Sequence, residues 1–312
     1  MTETTKEILD KYQVRRSGKQ KQAFRDYLKN VCKANNYEYK EEKGSFKSKN
    51  IVIGDVENAK VIYTAHYDTQ TILPFPYFHM PKKPFLTILL QMLMSLIYIF
   101  AVFATVALSR IVLDSFGISG IVFKIVEEVI VIMFLLFPFV GITNKHTSND
   151  NTSGVTTLID LMLSLSEEDR KDVAFIFFDM EELGLVGSRS FASKHKNIKN
   201  NKLIINFDCV SNGKKFLFVV PKKAKKYSEV IEKAFNPTDS YDIEIASRGC
   251  YFPSDQAAFK CGIGVVSLNK KGKIEYLSNI HSPKDRIYDE KNIEFLVDGA
   301  KKLAQELKNT NE

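Results

Sequence analysis

Histidines and carboxylates stand in five short segments of this sequence, several of them directly after an apolar run that predicts a buried strand. The metal-binding side chains in these segments are His66, Asp150, Glu182, Asp208 and His281. Nitrogen and oxygen donors of this mix suit zinc, with cobalt or manganese as plausible substitutes. Five ligands exceed what one catalytic zinc binds. They suffice for two ions if one carboxylate bridges them.

Two neighbours of these ligands have predicted supporting roles. Asp68 lies two residues after His66, and residues two apart on an extended chain share a face, so Asp68 can orient the imidazole. Glu181 precedes Glu182. Because adjacent side chains diverge, one glutamate can bind metal while the other faces the bound water. Each segment alone also has an ordinary explanation, such as a helix N-cap for Asp150 or an acidic loop for the glutamate pair.

The elements that must position these residues are strands and helices in alternation. Residues 61–66, 173–178 and 203–208 read as buried strands, and residues 154–165 and 291–307 as helices. This pattern predicts an α/β fold with a mixed, mainly parallel central sheet and helices on both faces. The carboxyl edge of such a sheet is where α/β proteins place their sites.

An apolar insertion separates the first two ligand segments. Residues 85–108 contain no charged residue, and as a helix they would span about 36 Å at about 1.5 Å per residue, enough to cross a bilayer. Residues 118–140 are apolar again, but Lys124, Glu127 and Glu128 interrupt them. The first segment supports a membrane span strongly and the second only weakly. A lid or a dimer-forming helical arm is the alternative to a membrane hairpin.

The domain organisation follows from this insertion. Residues 1–84 and 141–312 form the predicted catalytic domain, and residues 85–140 an apolar helical hairpin that anchors it to a membrane or pairs two copies of the chain. Lys82 and Lys83 precede the hairpin, as on a cytoplasmic flank. The N-terminus is polar and has no signal peptide, which predicts that the catalytic domain stays in the cytoplasm.

Composition sets the broader limits. Of 312 residues, 45% are hydrophobic and 26% charged, which fits a folded protein. The formal charge of +7 comes mostly from scattered lysines, and no nucleic-acid motif accompanies it, so nucleic-acid binding is not inferred. The four cysteines show no CxxC pairing, which suits a reducing compartment.

Taken together and in order, the segments HxD, DNxSG, EE, D and H resemble the M28 family of zinc aminopeptidases. The match covers roughly residues 15–75 and 143–305. The resemblance implies that Asp150 bridges two metals. Glu182 and His281 would complete one site, and His66 and Asp208 the other. These roles come from the family and not from spacing alone.

The resemblance also implies roles around the metals. Glu181 would be the general base toward a metal-bridging water, and Asp68 would orient His66. A cis peptide often follows the bridging aspartate in the family. Tyr251 would hydrogen-bond the tetrahedral intermediate, although a packed loop aromatic is an equal alternative. Gln256 departs from the pattern, because the family usually has histidine there.

The function implied is hydrolysis of peptide substrates by a dinuclear zinc peptidase, most simply an aminopeptidase. Two alternatives remain. A catalytically silent membrane scaffold would have lost ligands, whereas this chain keeps each ligand and the base. A glutaminyl cyclase-like enzyme would use similar ligands around one zinc, and the products and metal stoichiometry would distinguish it.

Overall fold

The computed structural model describes residues 1–309. The helices are α1 (Glu3–Lys11), α2 (Gly18–Ala34), α3 (Pro84–Ser115), α4 (Ile121–Val140), α5 (Gly154–Ser164), α6 (Val186–Lys194), α7 (Lys196–Asn201), α8 (Ser228–Ala234) and α9 (Glu290–Asn309). The strands are β1 (Tyr39–Lys43), β2 (Lys49–Ile53), β3 (Val61–His66), β4 (Val173–Phe178), β5 (Leu203–Phe207), β6 (Lys215–Val219), β7 (Asp242–Ala246), β8 (Gly262–Lys271) and β9 (Ile274–Tyr276).

One mixed sheet organises the chain. Its strand order is β1-β2-β4-β3-β5-β8-β6-β7, and β9 pairs with β8. The central strands β4, β3, β5 and β8 run parallel, while β1, β2 and β6 join it by antiparallel pairs. Strands from before and after the apolar insertion therefore share one sheet. The predicted α/β fold with a mainly parallel centre is confirmed.

Helices cover both faces of the sheet, and the central strand β4 is apolar at every position. In β4, Phe175 and Phe177 pack into a core formed with α2, α5 and α9. The alternate residues Ile176 and Phe178 pack on the other face with α6 and α7. Side chains of a strand alternate between its faces, so an uninterrupted apolar run produces a strand buried on both sides.

The sequence pattern also predicts a strand over 46–53 and a helix over 185–196, and both boundaries differ from the structure; it does not predict three strands at the sheet edges. A single strand over 46–53 is replaced by a short 3₁₀ turn at Ser45–Lys47 followed by β2, and Phe46 has a positive φ of 51° there. The helix predicted over 185–196 ends at Lys194 and continues as α7. The strands β1, β7 and β9 are rich in charged residues and lie at sheet edges, which weakens the apolar pattern that marks a strand.

The apolar insertion forms two helices that pack on each other. The hydroxyl of Tyr98 in α3 donates to the carbonyl of Phe134 in α4 at 2.8 Å. The guanidinium of Arg110 lies 5.1 Å from the ring centre of Phe123 near the turn between them. Among residues 1–309, α3 is the helix that is long and apolar enough to cross a membrane. A second span by α4 stays a prediction.

Candidate metal centre

The five predicted ligands meet at the carboxyl edge of the central strands. His66 ends β3, Asp208 directly follows β5, and Glu182 lies in the turn after β4. Asp150 belongs to the segment before α5, and His281 to the loop before α9. Since β4, β3 and β5 are parallel neighbours, their carboxyl ends bring these side chains to one place.

The carboxylate of Asp150 lies between the two histidines. Its Oδ1 is 3.4 Å from Nε2 of His66, and its Oδ2 is 2.9 Å from Nε2 of His281. Asp208 Oδ1 lies 3.5 Å from the same His66 nitrogen, and Glu182 Oε2 lies 3.5 Å from the same His281 nitrogen. The ligands thus form two triads that share Asp150, and in each triad the donor atoms lie within 4.8 Å of one another.

Hydrogen bonds between main-chain N–H groups and side-chain oxygens hold the segment that bears Asp150. Asp285 accepts the N–H groups of Asn149 at 2.8 Å and of Asp150 at 3.0 Å. The amide oxygen of Asn151 accepts N–H groups from Gly154 and Cys209 at 3.0 and 3.3 Å. The Asp150–Asn151 peptide bond is cis, as the resemblance implies. The sequence does not single out Asp285, although it lies in the His281 segment.

Asp68 contacts the imidazole of His66 through its carbonyl rather than its carboxylate. Its carbonyl oxygen lies 3.1 Å from Nδ1 of His66, whereas its carboxylate Oδ1 is 3.7 Å away. The carboxylate instead accepts the main-chain N–H groups of Glu181 at 3.0 Å and Glu182 at 3.3 Å. Because a carbonyl only accepts, Nδ1 of His66 carries the proton, and Nε2 turns its lone pair to the centre.

The donor set fits divalent cations. Glu182 Oε1 and Asp208 Oδ1 are buried without a hydrogen-bond partner among the described residues, and a buried carboxylate oxygen without a partner costs free energy. Burial opposes protonation of His66, yet its pKa is raised, first by the charge of Glu181 and then by the nearby carboxylates of Asp150 and Asp208. The surrounding negative charge therefore favours a cation at this position.

The remaining carboxyl groups respond to the same burial. Burial raises the pKa of Glu181 well above its ordinary value; His66 opposes the shift and Glu182 reinforces it. Burial disfavours the ionised form of Asp150, but hydrogen bonds with His281 and His66 outweigh it and lower its pKa. Burial and the histidines therefore shift the pKa values of these two neighbouring carboxyl groups in opposite directions.

A cleft of about 360 Å³ opens above the ligands. Tyr251 does not line this cleft; its side chain is 47% exposed. The main-chain N–H of Tyr251 donates to Pro81, so the start of the insertion lies beside it. Tyr77 and His79 from that segment line the cleft instead, and the ring of Tyr77 lies 4.8 Å from that of His281. The structure therefore places Tyr251 outside this cleft, and its role toward substrate stays a prediction.

Three further residues near the centre were missed or misjudged from sequence. His79 has no metal-type neighbours in sequence, which predicts an ordinary surface or loop residue, but it is buried. Gln256 is buried and donates to Phe252 O at 2.7 Å while accepting from Asn206 at 3.0 Å, so it ties loops together. Arg15 is fully buried and donates to the carbonyl of Tyr67. No sequence signal distinguishes Arg15 from a surface arginine.

A model of peptidase family M28 matches residues 140–297, slightly more than half of the chain. This chain belongs to peptidase family M28. The matched span contains Asp150, Glu182, Asp208 and His281, and His66 precedes it. Membership of this family, together with the His, Asp and Glu cluster, supports a zinc-dependent peptidase. A comparison with curated protein sequences finds no significant match.

Solved structures share the fold of this M28 chain. The LapA aminopeptidase of Legionella pneumophila is 13% identical with a TM-score of 0.56, covering 98% of this chain and 69% of that one. A glutaminyl cyclase of Porphyromonas gingivalis is 14% identical with a TM-score of 0.57, covering 97% and 96%. A Zn-dependent exopeptidase of Parabacteroides distasonis is 15% identical with a TM-score of 0.56, covering 98% and 97%. At these identities the likeness concerns the fold alone.

Proposed function

We propose that this chain is an aminopeptidase that binds two zinc ions and is held at a membrane by residues 85–140. The observation that carries the metal part is the position of Asp150, whose two carboxylate oxygens face two different histidines. His66 and Asp208 would hold one ion, and Glu182 and His281 the other. Zinc would supply an acidified water and an electrophile for the scissile carbonyl.

The residues of the chain do the rest of the reaction. Glu181 takes a proton from the attacking water and returns it to the leaving amine. Burial favours its protonated form between these two transfers. Asp68 holds the main chain of Glu181, which fixes where the base stands. Because Tyr77 lines the cleft and its ring lies against that of His281, we assign to its hydroxyl the role that the resemblance implies for Tyr251.

Restriction to N-terminal residues is supported by the size and polarity of the cleft. Its volume of about 360 Å³ lies at the small end of the range of about 300–1,000 Å³ for ligand pockets. Carboxylates at its floor can bind a free amine, and Gln70 donates to Glu182 Oε2 at 3.1 Å beside them. Phe252, Leu277 and Ile280 provide an apolar wall for the side chain of that residue.

The decisive experiment is hydrolysis of aminoacyl amides, free peptides and N-blocked peptides by wild type and Glu181→Gln, with Glu167→Gln as an exposed glutamate control. We expect activity on free N-termini alone, loss after chelation, recovery with zinc, and two zinc ions per chain by elemental analysis. Glu181→Gln should bind both ions and lose about 10²- to 10⁴-fold in kcat. Retained activity in Glu181→Gln would sink the assignment.

A glutaminyl cyclase is the second candidate, because the Porphyromonas gingivalis enzyme covers nearly the same length as this chain. Both candidates act on free N-termini, so substrates alone do not separate them. Peptides that begin with glutamine do: mass spectrometry distinguishes loss of ammonia from loss of a whole residue. One zinc per chain with ammonia release would favour the cyclase over the peptidase.

The membrane part of the proposal is supported by the surface of α3. Within this helix Thr87 is the buried residue, and side chains such as Phe100 and Phe103 are exposed. A contiguous apolar surface of this kind marks a membrane or protein contact. The 32 residues of α3 rise about 48 Å, longer than a bilayer core of about 30 Å.

Flotation with phosphatidylcholine vesicles tests membrane binding of the full chain. We expect the protein to float with the vesicles and to need detergent for extraction. Monodisperse protein without detergent would contradict insertion. The orientation of the chain in the membrane needs a separate test. Lys82 of the predicted cytoplasmic flank is paired with Glu244 at 2.7 Å and Glu275 at 3.2 Å. Lys83 is then the flank residue whose positive charge favours the cytoplasmic side. Protease accessibility of the catalytic domain in cells reports which side it faces.

A further inference from the structure

A second cavity lies beside the catalytic cleft, against the N-terminal part of α3. We call it the helix cavity. Its volume is about 480 Å³, within the range of about 300–1,000 Å³ found for small-ligand pockets. Tyr77, His79 and Pro253 line both the helix cavity and the catalytic cleft. The two spaces therefore adjoin each other at these side chains.

The polar groups of α3 on this side are already hydrogen-bonded within the protein. The hydroxyl of Thr87 donates to the carbonyl of Met80 at 3.1 Å and accepts its N–H at 2.9 Å. Gln91 donates to the carbonyl of Phe78 at 2.8 Å, and Ser95 to the carbonyl of Gln91 at 2.9 Å. These bonds also tie α3 to the segment that carries Tyr77 and His79. They leave mainly apolar surface for a ligand.

That apolar surface is a row along one face of α3. Ile88, Met92 and Leu96 follow one another at intervals of four residues and line the helix cavity. The row is about 12 Å long at about 1.5 Å per residue. An extended peptide advances about 3.3 Å per residue, so three to four residues would lie along it.

We propose that the helix cavity binds the apolar residues that follow the scissile bond, so that the enzyme selects peptides with apolar second to fourth residues. This rests on the proposed aminopeptidase function, which puts the N-terminal residue in the catalytic cleft. Such sequences are those of fragments from membrane-spanning segments. The buried Nε2 of His79 has no hydrogen-bond partner among the described residues. It would form a hydrogen bond with the main chain of the bound peptide.

Three substrates separate this proposal from the proposed function. Leucine amide has no residue after the scissile bond, while leucyl-trileucine amide and leucyl-triserine amide differ only in the residues that would enter the helix cavity. In phosphatidylcholine vesicles, we expect wild type to cleave leucyl-trileucine amide with a kcat/KM about ten-fold above that for leucyl-triserine amide. Apolar contacts of this size give discrimination of about 10- to 200-fold.

A matched pair of variants locates the selectivity. Met92 and Leu93 are both exposed apolar residues of α3, at 59% and 47%, but Met92 lines the helix cavity and Leu93 does not. We expect Met92→Asn to bring the ratio of the two tetrapeptides close to one and to leave leucine amide hydrolysis unchanged. Leu93→Asn should keep the wild-type ratio, since it alters only the surface away from the cavity.

Binding gives a readout that does not need turnover. Glu181→Gln protein should bind fluorescently labelled leucyl-trileucine amide about ten-fold more tightly than the triserine peptide, and Met92→Asn in that background should remove the difference. A wild-type ratio near one, or equal losses in Met92→Asn and Leu93→Asn, would overturn the helix cavity as a peptide site and would fit a lipid acyl chain there. No hydrolysis of leucine amide would instead reject the proposed function.

Discussion

The carboxylate of Asp68 accepts the main-chain N–H of Glu181, with 3.0 Å between Oδ1 and the amide nitrogen. Its other oxygen accepts the N–H of Glu182 at 3.3 Å. The carbonyl of the same residue lies against Nδ1 of His66. Asp68, which follows β3, therefore fixes the turn after β4. That turn bears both the proposed base and a proposed ligand. A small displacement of that turn would move the base from the water it must deprotonate.

Asp68→Asn tests this coupling, because the amide keeps the shape but replaces one accepting oxygen by an NH₂ group that cannot accept. We expect kcat to fall about 10- to 100-fold, as for other residues that support metal ligands, with zinc content near wild type. Steady-state kinetics and elemental analysis measure both. Asp10→Asn, on the exposed surface of α1, is the control. Full activity in Asp68→Asn would show that the turn after β4 keeps its conformation without the carboxylate of Asp68.

The convergence of four of the five candidate ligands could be predicted from sequence, because His66, Glu182 and Asp208 lie at or just after the ends of apolar strands and Asp150 precedes a helix. His66 and Asp208 close apolar strands, and parallel strands bring such ends together. Tyr77 and His79 could not be predicted, since they lie in a proline-rich segment without periodicity. Their positions depend on long-range contacts, such as the N–H of Leu277 donating to the carbonyl of His79.

Arg15 shows a second limit of prediction. Its side chain donates to main-chain carbonyls, including those of Tyr67 and Tyr12, both at 2.6 Å. Every residue has a main-chain carbonyl, so the residue types do not show which carbonyls accept from Arg15. Neither the burial of Arg15 nor its partners can therefore be predicted from the sequence. Burial lowers the pKa of Arg15 to about 9, against the raising effect of Asp68 and Asp150. It remains a cation at neutral pH and supplies positive charge close to the acidic centre.

Replacing each tyrosine in turn distinguishes Tyr251, the donor that the resemblance implies, from Tyr77, the donor proposed here. Tyr77→Phe removes a hydroxyl from the cleft, whereas Tyr251→Phe removes one from the exposed loop beside it. We expect Tyr77→Phe to lower kcat about 10²-fold, in the range for loss of one donor to a developing oxyanion. Tyr251→Phe should stay within about two-fold of wild type. The reverse order in kcat would restore Tyr251 as the donor and place Tyr77 among packing residues.

His79 should make stability depend on pH. Burial lowers the pKa of its imidazole to about 4, while an unfolded histidine titrates near 6.5. Below pH 6.5 the unfolded chain therefore binds a proton that the folded chain does not. The free energy of unfolding falls as pH decreases from about 6.5 to about 4. At pH 5 the loss amounts to about 2 kcal/mol from this residue.

His79→Gln removes this titration and keeps a polar side chain of similar length. We expect the fall in Tm between pH 7 and pH 5, measured on chelated protein, to be smaller in His79→Gln than in wild type. His146→Gln, in a half-exposed loop, should follow wild type. An equal fall in all three proteins would mean that the folded chain protonates His79 as readily as the unfolded chain.

Zinc removal should destabilise the folded chain, because the ligands repel one another when no cation separates them. Zinc at about 1,000 times its dissociation constant would stabilise the folded state by about 4 kcal/mol, or about 5–10 °C in Tm. Asp150→Asn should abolish most of this gain, since Asp150 belongs to both triads. Glu182→Gln, which alters only one of the two triads that contain Asp150, should retain part of it and bind one zinc per chain. If zinc stabilises Asp150→Asn as much as wild type, the two triads are independent sites and Asp150 bridges nothing.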